Sequence, residues 1–194
     1  MPFDGPRELT DPKAMRAMAH PVRLALMQAL NHAGTLTATE AAEQVGESPS
    51  NCSFHLRQLA KYGFVEEAAG GAGRNRPWRL VSISHSWSDS DPDAETNAAA
   101  SALSLLVLER EMERLAEWFE RQRGESPEWR DAATTSSAIL YLTPDELAAL
   151  GKGLAELLGG FLDRTADRSR RPAGSRPVSL IAAAYPLIPT PSGG

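Results

Sequence analysis

Cysteine, lysine, aromatic residues and long apolar runs are all scarce in this chain, and the shortages narrow what it can be. A lone cysteine, Cys52, builds neither a disulfide framework nor an all-cysteine zinc site, and it fits a reducing compartment. No apolar run reaches the roughly 20 residues of a transmembrane helix. The first six residues lack the basic-then-apolar order of a signal peptide. These absences predict a cytoplasmic protein with no membrane contact. Histidines at 20, 32, 55 and 85 have no metal-ligand spacing. Phosphate loops, nucleophile elbows and His–carboxylate zinc motifs are likewise missing. The expectation is therefore no catalytic residue, no metal and no cofactor.

Excess positive charge is missing too, since the net charge is -5. Its distribution matters more than its sum. Residues 1–81 hold 9 basic and 8 acidic side chains, whereas 82–194 hold 11 and 17. The acidity sits in the C-terminal part, and a local basic surface survives in the N-terminal part, where a polyanion could bind.

Residues 1–10 read as a flexible tail. Asp11-Pro12 opens a short helix with Met15, Met18 and Ala19 as its apolar stripe, and His20-Pro21 interrupts it. Pro21 starts a second helix whose Val22, Leu24, Ala25, Leu26, Met27 and Leu30 are apolar almost all round, the pattern of a buried helix. Thr35-Leu36 has room for one short strand. Thr37-Ala38-Thr39-Glu40 is a capping box, and the helix it opens breaks at Gly46.

Ser48 then caps a helix with Pro49 in its first position and Gly63 past its end. Cys52, Leu56 and Leu59 recur at helical spacing and face a core. Ser50, Ser53, Phe54 and Arg57 form the other face, where hydroxyls can meet base edges or phosphates and a ring can meet a thymine methyl. A short helix, a Gly-containing turn and a second amphipathic helix make a helix-turn-helix. Strands over 64–67 and 77–83 flank a glycine-rich turn carrying Arg74 and Arg76, so the hairpin reads as a wing. The alternative for those two arginines is a solvated turn.

Residues 84–95, polar and acidic, read as a linker. A long helix follows over 96–123, in which Leu105, Leu108, Met112, Leu115 and Phe119 step by 3, 4, 3 and 4 as a dimerisation seam. Packing wholly within one subunit is the competing expectation. Strands are expected at Thr134–Leu142 and Ser179–Tyr185, around a helix opened by Thr143-Pro144-Asp145-Glu146. Asp163–Ser175, with Arg168, Arg170 and Arg171, reads as a charged loop, and residues 187–194 as a tail.

Residues 11–82 resemble the ArsR-type winged helix-turn-helix transcriptional regulators. The likeness rests on Ala19-His20-Pro21-Val22-Arg23-Leu24, on Ser50-Asn51-Cys52-Ser53-Phe54-His55-Leu56-Arg57-Gln58-Leu59, and on Tyr62-Gly63-Phe64-Val65. It implies a homodimer on a partly palindromic operator in double-stranded DNA, with one recognition helix per half-site. Matched by position, Pro49, Ser50, Asn51, Ser53 and Phe54 would face the groove, Arg57 and Lys61 would meet phosphates, and Arg74 and Arg76 belong to the wing. The cysteine pair and the histidine–carboxylate pairs of the metal-sensing members are absent. His20 reads as a junction cap, His55 as a packing or phosphate-contacting residue, and Cys52 as core.

The expected fold class is mainly α with small β. It comprises a winged helix-turn-helix domain over 11–83, a long dimerisation helix and a small α/β C-terminal region over 124–186, where a small-molecule effector would bind. The expected function is a dimeric DNA-binding transcription regulator. A winged-helix protein–protein adaptor that does not bind DNA is the alternative.

Overall fold

A computed structural model describes residues 7–71, 76–82, 85–88 and 91–187. The chain is mainly helical with a small sheet. Helix α1 (Pro12–Met18) starts where the Asp11 carboxylate accepts the Lys13 N–H at 2.9 Å. Helix α2 (Pro21–Ala33) follows directly, its first free N–H groups served by His20, whose Nδ1 accepts from Val22 at 3.2 Å. Strand β2 (Thr35–Leu36) leads into α3 (Ala38–Val45), which carries the expected capping box between Thr37 and Glu40. Gly46 then takes the left-handed conformation, φ 76°, that ends α3 and turns the chain.

Helix α4 (Pro49–Lys61) is capped by Ser48, whose side chain accepts from Asn51 N at 3.2 Å. Strands β3 (Val65–Glu67) and β4 (Trp78–Leu80) pair antiparallel, and β2 closes the sheet in the order β2-β4-β3. The expected second strand over 77–83 is thus shorter than read. The core lies among α1, α2, α3, α4 and this sheet, with Phe64, Met15, Leu26, Leu30, Leu56, Leu59 and Cys52 fully buried.

The expected flexible tail and linker are corrected in part. Strand β1 (Arg7–Glu8) pairs in parallel with β5 (His85–Ser86), and Leu9 is buried. The indole of Trp87 donates to Ser104 Oγ at 2.8 Å. The paired strands, Arg7-Glu8 and His85-Ser86, are two polar residues each, too short and too polar to show a strand period in the sequence.

Helix α5 (Ala94–Arg121) begins at Asp93, whose carboxylate accepts from Thr96 N at 2.8 Å. It buries Thr96, Ala99, Ala100 and Leu103, packing chiefly on α1. Arg110 ties it to α2 by donating to Gln28 Oε1 at 2.8 Å. Helices α6 (Pro127–Ala132) and α7 (Pro144–Ala166) complete the chain. No described helix is long and apolar enough to cross a membrane.

The strands expected at Thr134–Leu142 and Ser179–Tyr185 do not form; both stretches are exposed and unpaired in the single chain. A strand needs a neighbour to take its backbone groups, and apolar β-forming residues alone do not supply one. The two strands expected beside the apolar face of α7 are therefore not in place among the described residues. Arg171 is not simply solvated either: it donates to the carbonyls of Arg164 (2.8 Å) and Thr165 (3.2 Å), closing the end of α7.

Candidate nucleic-acid interface

Helix α4 divides cleanly into two faces. Cys52, Leu56 and Leu59 are fully buried, as their spacing requires, while Pro49, Ser50, Phe54, Arg57 and Lys61 are exposed. At about 100° per residue, Ser50, Phe54, Arg57 and Lys61 share one outward stripe. Phe54 keeps 49% of its surface in water. A half-exposed ring among polar groups leaves an apolar face available to a ligand.

The polar groups on this face are linked locally. Arg57 donates to Ser53 Oγ at 2.8 Å, and the hydroxyls of Ser48 and Ser50 lie 3.1 Å apart. Asn51 is half-buried and donates to Glu47 Oε2 at 2.8 Å, so it sits on the flank of the stripe rather than on its crest. The Lys61 ammonium lies over the Tyr62 ring, 5.6 Å from its centroid. Exposed bonds of this kind contribute little to stability and exchange readily for phosphates or base edges.

Two histidines set the helix in place. The rings of His20 and His55 lie 4.5 Å apart, and Phe54 meets His55 edge-on at 5.2 Å. Burial lowers the pKa of both imidazoles, and the Arg23 guanidinium lowers them further. Burial pushes the Cys52 thiol up, which leaves it inert as part of the core.

In the wing, Arg76 pairs with Glu67 at 2.6 Å and Arg79 with Glu66 at 2.6 Å, all four side chains about half exposed. Arg74 lies outside the described residues. Among the described residues no three His, Cys, Asp or Glu side chains converge as metal ligands.

Sequence reasoning missed Arg7, Lys13, Arg16 and Arg23, which surround the far end of α4. Arg23 lies inside the motif Ala19–Leu24, yet its neighbours come from α1 and α4, so only the folded chain brings them together.

A family model described as a helix-turn-helix domain matches residues 18–68, from the end of α1 through β3. No curated protein matches the chain. The matched residues include α3, the turn at Gly46 and α4, which are arranged as the two helices and turn of a helix-turn-helix.

Proposed function

We propose that the chain is a homodimeric, sequence-specific transcription regulator that lays α4 in the major groove and the 68–76 wing on the adjoining backbone. The observation that carries this reading is the outward stripe of α4: a ring, hydroxyls and two cations held in water by a helix whose opposite face is fully buried. Pro49, Ser50, Ser53 and Phe54 face the bases, with Asn51 at the flank. Arg57, Lys61, Arg74 and Arg76 take phosphates. For the wing pairs this means Glu67 must release Arg76 when DNA binds.

Dimerisation is supported by α5. Its buried residues face α1, whereas Leu105, Leu108, Met112 and Phe119 are exposed at 68%, 37%, 56% and 49%. Leu115 is half-buried on the same stripe. The seam thus faces away from the chain's own core, as an interhelical contact requires. Apolar residues of 134–142 and 178–187 are exposed as well.

Selection of bound fragments from a random DNA pool by the full chain tests the reading. It should enrich two related half-sites spaced by about one helical turn, 10–10.5 bp, or a multiple of it. Recovery of DNA without a shared motif would refute it and leave the adaptor reading.

A further inference from the structure

Where α1, α2 and α4 meet, a cleft of about 240 Å³ is lined by Lys13, Arg16, Ala17, Arg23, Gln58 and Tyr62. Three of these residues are cations and none is acidic. Arg16 has one carboxylate partner, Glu95 at 2.5 Å, in a pair about half exposed. Among the described residues no ion pair engages Lys13 or Arg23. The Arg23 Nε is buried with no hydrogen-bond partner among those residues. A buried guanidinium donor left open is costly, and an oxyanion is the group that satisfies a guanidinium with two parallel bonds.

The position of the cleft matters as much as its charge. Gln58 and Tyr62 sit on the flank of α4 beside the Phe54 and Lys61 stripe, at about 100° per residue. A helix in a major groove has a sugar–phosphate strand along each side. The α1–α2 corner lies along this flank. We infer that Lys13, Arg16 and Arg23 hold a backbone phosphate of the DNA that α4 reads, with Arg23 as the fixed donor and the two α1 side chains as adjustable charges. This inference rests on the DNA-reading proposal above.

The test compares the full chain with Lys13→Gln, Arg23→Gln and the double variant. Binding to a DNA fragment from the chain's own promoter region is measured across a salt series, and inorganic pyrophosphate binding is measured by calorimetry. Loss of this one phosphate in the double variant should lower the salt slope by about 0.9, with each single change lowering it by less, and weaken all DNA sequences alike. Lys13 is exposed, so Lys13→Gln keeps the test decisive even where loss of Arg23 disturbs folding. Wild-type binding with unchanged slopes in Lys13→Gln and the folded Arg23 variant would overturn the corner while sparing the DNA-reading proposal. Absence of wild-type DNA binding, with pyrophosphate bound by wild type and lost in the variants, would keep a phosphate site but assign it a free phosphate ester. Failure of both ligands would overturn the corner.

Discussion

Arg7 donates Nη1 to the carbonyl of Gly63 at 2.6 Å, across 56 residues of chain, and Nη2 to the carbonyl of Tyr62 at 2.9 Å. The same guanidinium lies over the Phe64 ring, 5.0 Å from its centroid. Gly63, at φ 69°, is where the chain leaves α4 for β3. One side chain thus fastens the end of the helix-turn-helix to the N-terminal strand.

Replacing Arg7 by alanine should therefore lower unfolding free energy by about 1.5–3 kcal/mol, the range for hydrogen bonds to a charged group. Urea titration followed by circular dichroism reads this directly. An unchanged midpoint would show that the two carbonyls are equally well served by water.

His85 predicts a pH dependence. Burial first, then the nearby Arg7 guanidinium, hold its imidazole at about 4, below the ordinary 6.5. The unfolded chain then takes up a proton at His85 as pH falls through 6.5, while the folded chain resists until about 4. Stability is full above pH 6.5 and declines between 6.5 and 4, by about 2 kcal/mol after allowing for solvent screening. Thermal melting of His85→Gln against wild type should show a shallower decline over that window. Parallel curves would contradict the assignment.

The two faces of α4 should separate stability from binding. Leu56→Ala removes a fully buried side chain and should cost about 2–5 kcal/mol of stability. Phe54→Ala should leave the unfolding midpoint within about 0.5 kcal/mol of wild type, as an exposed position does, yet weaken DNA binding by about 1–3 kcal/mol. Equal loss of stability in both variants would mean that Phe54 belongs to the core.

The α5 seam makes a second separation. Leu105→Glu with Met112→Glu places charges on the exposed stripe while Ala99, Ala100 and Leu103 stay packed on α1. The double variant should sediment as a folded monomer where wild type sediments as a dimer, with its helical signal retained. A monomeric wild type, or a dimeric variant, would remove the seam from the account.

Much of this arrangement was legible before folding because it is written in local spacing. Ser48-Pro49, Thr37 with Glu40, and Cys52, Leu56 and Leu59 each report on a single helix, and each behaves in the fold as its spacing requires. Arg7 and Arg23 act through partners on other elements, so no local pattern marks them. The stretches at 134–142 and 179–185 show the opposite error: their residues suit strands, but pairing is a property of two segments, and neither segment pairs with the other or with the sheet. The apolar period of α5 was readable, yet which of its stripes meets α1 and which stays open depends on tertiary packing.

The most direct measurement is equilibrium binding, at one fixed salt concentration, to a selected operator and to the same bases scrambled, for wild type and for Ser50→Ala with Phe54→Ala. Wild type should prefer the operator by about 10³-fold or more. In the folded variant that preference should shrink, with scrambled DNA bound about as before. Equal wild-type affinity for both DNAs, or a preference unchanged in the variant, would contradict the claim that α4 reads sequence.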